Sequence, residues 1–287
     1  MKPGQASRTA VLVCMGRALA HGTSAVGRYS DPTARALLPD DARLRVDRIL
    51  EGAAPKGWRE RLERAYLDRN SKVMVARTVP IDDAVRAVTA PQLVILGAGL
   101  DGRAWRMPEL ADVVVFEVDH PDSQRDKRAR IGALDQKARD VRFVPVDFTR
   151  DRLDEALEAA GHDSSRATVW IWEGVVMYLT PADVEATLAI IEQRSTDKSR
   201  LIVAYHSPAI LLRLVGFLVR RLGEPLRSAF SAEAMRGLLG RHGFGVVQDQ
   251  TIATIGSTVC PEIGRATRHI KHLRIATANR IPSRAGH

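Results

Sequence analysis

Five short apolar runs in the middle of the chain share a feature that limits the folds open to it. None of them alternates apolar with polar residues, and each is followed closely by a glycine, an acid or a histidine. The runs are Leu93–Leu96 before Gly97, Val113–Val118 before Asp119, Val141–Val146 before Asp147, Thr168–Trp172 before Glu173, and Leu201–Ala204 before Tyr205 and His206. Such runs are typical of parallel strands that are buried on both faces of a sheet.

The segments between these runs have the composition and length of helices. Gln124–Lys137 and Pro181–Arg194 are two of them, and Thr180 followed by Pro181 is a typical helix start. Strands alternating with helices predict an α/β fold with a Rossmann-like, doubly wound, mostly parallel sheet. Ligands of such sheets bind beyond the carboxyl ends of the strands. We therefore expect the polar residues that follow the five runs to meet at one site.

The flanking segments predict additions to this core. Residues 1–90 are mostly helical in pattern, and we interpret them as an N-terminal cap or lid. Residues 91–287 would form the cofactor-binding core, with a lid insertion of apolar helical character around 207–230. The pattern then predicts a helix over Ser231–Arg241, capped by Ser231, and a strand over Phe244–Val247.

Composition narrows the partners and the compartment. The net charge is +9, but arginines are spread along the whole chain, and the densest basic segment, Arg265–Arg284, lacks interleaved aromatic residues. This pattern does not favour a nucleic-acid partner. No apolar run approaches the roughly 20 residues that span a bilayer, and two cysteines suit a reducing compartment. We expect a cytoplasmic protein without a metal site; a homodimer remains open.

A glycine turn after the first run is the strongest local motif. Gly97, Gly99 and Gly102 stand in the segment LGAGLDG, which follows an apolar strand and precedes Arg103. Glycines are needed where the backbone turns sharply and a ligand packs against it. The same turn contains Asp101, which we count among the cofactor-binding candidates.

The acids at the strand ends indicate which cofactor this turn serves. Asp119 stands twenty positions after Gly99 and suits ribose hydroxyls, with Glu117 on the same strand face as the alternative. Asp147 could accept from an adenine amine and Phe148 could pack against its ring. Acids at three strand ends, Glu173 included, suit a cationic sulfonium cofactor better than an anionic pyrophosphate.

Together these segments resemble the leucine carboxyl methyltransferase-like family of S-adenosylmethionine-dependent enzymes, especially its bacterial members. The matching segments are ART with ID, then VILGAGLDGRAWR, FEVDHP, VPVDF and EGVVMYL, in the family's order from about Lys72 to Thr180. The resemblance implies that Arg77 pairs with the cofactor carboxylate and that Gly97 and Gly99 line its methionine portion. It also implies ribose at Asp119, adenine at Asp147, and the sulfonium and ammonium end near Glu173.

The sequence indicates less clearly which residues would bind the molecule that accepts the methyl group. His206 follows the fifth run and titrates near neutrality, so it is a candidate general base, with a structural histidine as the alternative. Arg28 and Tyr29 are further candidates, since they precede Asp31-Pro32, where an N-terminal lid would reach the substrate. Glu173 is counted as both a catalytic and a cofactor-binding candidate.

We therefore expect a bacterial methyltransferase that acts on a small molecule. O-methylation of a hydroxyl or carboxyl group is the first choice, and C-methylation of an indole-type ring in natural-product biosynthesis is the second. An NAD(P)-dependent oxidoreductase would share the glycine turn and Asp119 but would not need Asp147, Glu173 and Arg77 together. A non-catalytic S-adenosylmethionine sensor and an RNA-binding methyltransferase are further alternatives.

Overall fold

In a computed structural model of the chain, one seven-stranded sheet lies at the centre, with helices on both of its faces. The structure describes residues 7–24, 26–148, 150–208 and 226–282. The strands are β1 (Gln92–Leu96), β2 (Val114–Asp119), β3 (Asp140–Pro145), β4 (Thr168–Trp172), β5 (Arg200–His206), β6 (Phe244–Thr251) and β7 (Leu273–Arg280). Their spatial order is β3-β2-β1-β4-β5-β7-β6.

The first five strands are parallel, and β7 is antiparallel to both of its neighbours. All five residues of β1 and all five of β4 are buried, as expected for central strands covered on both faces. The Rossmann-like, mostly parallel α/β fold predicted from the sequence is confirmed. The carboxyl ends of β1 to β5 consequently share one edge of the sheet.

Four helices precede the sheet and seven more follow within the described ranges. The first four are α1 (Arg8–Thr23), α2 (Ala34–Leu37), α3 (Asp40–Leu50) and α4 (Trp58–Arg86). The later ones are α5 (Arg103–Arg106), α6 (Pro121–Arg128), α7 (Leu153–Ala159), α8 (Pro181–Gln193), α9 (Ala232–Arg241), α10 (Ile252–Val259) and α11 (Pro261–Thr267). No helix in these ranges is long and apolar enough to cross a membrane.

Local sequence signals account for several helix boundaries. Thr180 and Asp183 form a reciprocal capping box at the start of α8, and Ser231 caps α9. The helix predicted over Gln124–Lys137 is shorter and displaced, because Pro121 begins α6 and the chain leaves the helix after Arg128.

Two sequence predictions need correction or lie outside the described residues. The sequence patterns predict no strand in the basic segment Arg265–Arg284, yet its middle forms β7 between β5 and β6. Most of the predicted lid insertion, residues 209–225, lies outside the described residues. Its described end contacts the carboxyl edge of the sheet, because the backbone N–H of Arg227 donates to Met177 O and that of Phe230 donates to His206 O.

Candidate active site

The glycine turn after β1 has a backbone conformation that only glycine adopts easily. Gly97 has φ +72° and Gly99 has φ +50°. The N–H groups of Gly97 and Ala98 both donate to Val118 O, which fixes the turn against the end of β2. A Cβ at Gly97 would lie 2.0 Å from Cγ2 of Val175. The turn therefore brings bare backbone to the carboxyl edge of the sheet.

Asp119 lies beside this turn at the end of β2. Its Oδ2 accepts the N–H of Gly99 at 2.5 Å, and its Oδ1 accepts that of His120 at 2.6 Å. Burial raises the pKa of the Asp119 carboxyl, although both N–H groups oppose this. The N–H of Val146 donates to Asp119 O, so Asp147 and Phe148 follow the end of the neighbouring strand β3.

Arg77 and Glu173 form the centre of the site, where α4 passes the end of β4. Arg77 Nε lies 2.5 Å from Glu173 Oε1, yet it makes no hydrogen bond in the described structure. Both side chains are nearly buried, at 12% and 13% exposure. A charged contact without hydrogen-bond alignment leaves both groups able to bind a ligand of opposite charge.

Arg103 lies behind this pair and is fully buried. Its guanidinium donates to Asp82 at 2.8 Å, pairs with Asp101 and lies 3.3 Å from Glu173 Oε2. Burial alone would raise the pKa of Asp101, but Arg103 and Arg17 hold it well below its usual range. Asp101, a predicted cofactor ligand, therefore has its charge compensated by Arg103, and we do not retain it as a direct ligand.

Further ion pairs extend this cluster toward the N-terminal helices. Arg106 Nη1 donates to Asp82 at 2.7 Å, and Asp31 lies 3.5 Å from Arg17 and 3.7 Å from Arg106. We call the whole set the charge cluster; its members are Arg17, Arg77, Arg103, Arg106, Asp31, Asp82, Asp101 and Glu173. Four cations and four anions balance, because an unpaired charge at such depth is strongly unfavourable.

This balance decides which ligand fits. The ammonium and carboxylate of a methionine moiety would meet Glu173 and Arg77 without adding net charge to the cluster. A pyrophosphate would bring two negative charges to the same place. The residues thus fit the S-adenosylmethionine implied by the resemblance, and they fit a dinucleotide less well.

His206 ends β5, the strand that lies beside β4 on the side opposite β1, and Glu173 follows β4. Its Nδ1 is buried without a hydrogen-bond partner in the described structure, and its ring stacks on that of His272 with centroids 5.7 Å apart. Burial, and then the nearby His272 and Arg77, lower the pKa of His206 to about 4. The imidazole is therefore neutral at physiological pH and has a nitrogen in need of a partner.

Three other residues that the sequence suggested for the site are engaged elsewhere. Glu117 is deep in the sheet and paired with Lys127 at 2.5 Å, each side chain 1% exposed, so it is not the ribose ligand of the two acids considered. Burial outweighs Lys127 and raises the pKa of Glu117 to about 7. The hydroxyl of Tyr29 donates to Arg17 O, and Arg28 is paired with Asp83 in a groove beside Arg200 at the start of β5. Tyr29 is therefore engaged with the backbone of α1, and Arg28 lies toward the amino ends of the strands, whereas His206 stands at a carboxyl end.

Sequence reasoning missed Arg103, Arg106, Arg17 and Asp82 as site residues. Arg103 and Arg106 are three apart on the short helix after the glycine turn, which puts both on one face. That spacing is the signal that could have found them. Asp101 stands only two positions before Arg103, but the other acidic partners, Asp31, Asp82 and Glu173, come from distant segments and carry no such signal.

Comparison with known proteins supports the family that the sequence resembles. The model of the leucine carboxyl methyltransferase family matches residues 10–192. A protein of Mycolicibacterium gilvum, named as an S-adenosyl-L-methionine-dependent methyltransferase, is 35% identical over 227 residues, covering 76% of this chain and 71% of the relative. One of Mycobacterium avium with the same name is 35% identical over 205 residues, covering 70% and 67%.

Solved structures share the fold at low sequence identity. A DUF574 family protein from Streptomyces avermitilis has a TM-score of 0.58 and 11% identity, covering 96% of this chain and 98% of that chain. A protein from Thermobifida fusca whose name describes it as a methyltransferase has a TM-score of 0.54 and 14% identity, covering 97% of this chain and 96% of that chain. These similarities concern the fold alone.

Proposed function

The chain belongs to the leucine carboxyl methyltransferase family and is an S-adenosylmethionine-dependent methyltransferase. From this premise we propose that it methylates an oxygen atom of a small molecule. The observation that carries the proposal is the buried, unpartnered Nδ1 of His206 beside the charge cluster. A neutral imidazole nitrogen can accept a hydrogen bond from an acceptor hydroxyl. It stands at the strand end next to Glu173, where a methyl acceptor would approach.

Binding of the cofactor would involve residues on both sides of the glycine turn. Arg77 would grip the methionine carboxylate and Glu173 the ammonium, while Arg103 keeps Glu173 in place. Asp119 would accept from the ribose hydroxyls and Asp147 from the adenine amine, with Phe148 against the ring. When bound, S-adenosylmethionine supplies an electrophilic methyl group on a positively charged sulfur.

The low basicity of His206 limits the acceptor. General-base catalysis is weak when the pKa of the base is far below that of the group it deprotonates. A base with a pKa of about 4 is therefore too weak for an ordinary phenol or alcohol, and it suits a hydroxyl of low pKa, such as an enol conjugated with a carbonyl group or a phenol with electron-withdrawing substituents, or a carboxyl group that is already ionised. His206 would orient such a group and hold its proton where one has to be removed.

C-methylation of an electron-rich ring is the second candidate. The stacked rings of His206 and His272 support it, because an imidazole pair offers a flat surface for a flat acceptor. The Nδ1 of His206 could then accept a ring N–H instead of a hydroxyl. The two reactions differ in the atom that carries the new methyl group.

One experiment tests both candidates. The purified chain is incubated with S-adenosylmethionine labelled with ¹³C at the methyl group and with pools of phenols, enols, carboxylic acids and indoles. Formation of S-adenosylhomocysteine reports turnover, and the ¹³C shift of the product distinguishes O-methyl from C-methyl. A C-methyl product would overturn O-methylation.

The role of His206 is tested in the same assay with His206→Ala. We expect a loss of kcat of roughly 10²-fold or more, the usual contribution of a positioned acid–base group. His269→Ala, at an exposed histidine, serves as the matched control. Full activity of His206→Ala would remove the proposed base.

A further inference from the structure

A stripe of large apolar side chains lies on the outer face of α4, far along the helix from Arg77. Trp58 is 67% exposed, Leu62 is 62% exposed and Tyr66 is 53% exposed. Their spacing of four residues places them on one face, and the stripe is about 12 Å long at 1.5 Å per residue. We call these three residues the α4 stripe. Large apolar clusters of this kind on a protein surface mark interaction sites.

The fold of the described chain does not account for this stripe. The face of α4 that packs on the rest of the protein carries Leu67, Ser71 and Met74, all buried. Leu67 is five positions from Leu62 and so points to the opposite side of the helix. The stripe therefore points away from the protein body, where Trp and Leu gain nothing from folding.

A groove runs along one flank of the stripe. It has a volume of about 430 Å³ and is lined by Arg61, Ala65 and Asp68 of α4 together with residues that include Leu19, Ile49 and Pro55. Ala65 is one residue before Tyr66, so the groove opens directly beside the far end of the stripe. An aromatic side chain that comes from outside has a site here.

Charges around the stripe indicate the kind of partner. Cations and anions alternate along this part of α4, in the order Arg59, Glu60, Arg61, Glu63, Arg64, Asp68 and Arg69. The anions already have partners within the chain, since Glu60 lies 3.9 Å from Arg48, Glu63 lies 3.4 Å from Arg45 and Asp68 lies 2.6 Å from Lys72, so the cations of this segment are the charges left for a second copy. A lipid surface of negative charge favours a face of one sign. Interleaved signs suit a second surface of the same pattern, because each cation can then lie beside an anion of the other copy.

We propose that the protein forms a homodimer in which two α4 helices pack antiparallel across a two-fold axis near Leu62. In this arrangement Trp58 of each copy lies level with Tyr66 of the other and enters the groove beside its Ala65. Glu63 of one copy, which contacts Arg45 of its own chain at an exposed position, then lies near Arg59 of the other copy as well. Such an isologous contact uses the same surface of both copies. Insertion of Trp58 into the groove of the other copy would resemble the buried aromatic anchors of stable interfaces.

Sedimentation equilibrium of the full chain tests the proposal over low to high micromolar concentrations. We expect a mass twice the monomer's 31.6 kDa, and for Leu62→Glu a dissociation constant raised at least about tenfold, because each dimer buries two new charges. Val247→Glu is the matched control at an equally exposed apolar residue, 60% exposed and on β6. A monomer at every concentration overturns the proposal, and so does equal weakening by both variants.

Cysteine cross-linking tests the register. Leu62→Cys should form a disulfide with itself under mild oxidation, because the residue lies at the axis. Trp58→Cys and Tyr66→Cys should cross-link efficiently when mixed and poorly when alone. Circular dichroism checks that each variant is folded, and flotation with anionic vesicles is run in parallel. Vesicle binding by a monomer, or cross-linking only between other pairs, would contradict this dimer.

Discussion

Arg103 Nη1 lies 3.3 Å from Glu173 Oε2, although seventy positions separate the two residues in the chain. Arg103 is fully buried and also holds Asp82 and Asp101. Glu173, in contrast, lies at the carboxyl edge beside Arg77. The contact therefore connects the interior of the charge cluster with the residue proposed to meet the cofactor ammonium.

Replacing Arg103 should destabilise the fold. Arg103→Met leaves Asp82 and Asp101 buried with too few cations, and breaking a buried pair in this way costs about 3–5 kcal/mol. Arg86→Met is the control, because its pair with Glu109 is exposed and such pairs contribute about 0–1 kcal/mol. Urea unfolding measures both. Equal losses would show that the charge cluster has no special importance.

Arg77 should matter for cofactor affinity more than for stability. If it binds the methionine carboxylate, Arg77→Ala removes a charge-assisted contact and should weaken binding of S-adenosylhomocysteine by about tenfold or more. Arg86→Ala should bind almost as the parent does. Isothermal titration gives both values, and similar affinities for the two variants would remove the assignment of Arg77.

Gly97 should not tolerate even a methyl group. Gly97→Ala places a Cβ 2.0 Å from Val175 Cγ2 at a φ of +72°, so the turn or the start of the next segment has to shift. We expect a loss of at least about 1 kcal/mol from the backbone conformation alone, with weaker cofactor binding. Gly132→Ala, where a Cβ meets no atom within 4 Å, is the control. Thermal unfolding with and without S-adenosylhomocysteine compares them.

His206 should make stability depend on pH. Its pKa falls from 6.5 to about 4 on folding, so the unfolded chain binds more protons between these values. Stability from this group is present above pH 6.5 and is lost as the pH falls toward about 4. His206→Gln should flatten that part of the curve, while His269→Gln should not. Parallel curves for His206→Gln and the parent would contradict the lowered pKa.

Much of the architecture was accessible from the sequence, since local patterns encode it. Continuous apolar runs predicted β1 to β5, and Thr180 and Ser231 predicted the starts of α8 and α9. Strand β7 was missed because its polar residues suggest a surface segment. In the folded chain Arg274 pairs with Asp249 and Arg280 contacts Glu192, so a basic segment becomes an interior strand.

The sequence by itself determined the strand ends and the glycine turn, because a strand or a turn depends on residues close together in the chain. The family and its cofactor follow from the same segments. Only the tertiary structure decided how the charges are shared. It paired Glu117 with Lys127, brought Arg103 to Asp82 and Glu173, and left Nδ1 of His206 without a partner among the described residues. These outcomes depend on which distant side chains become neighbours when burial removes water, and no local pattern records that.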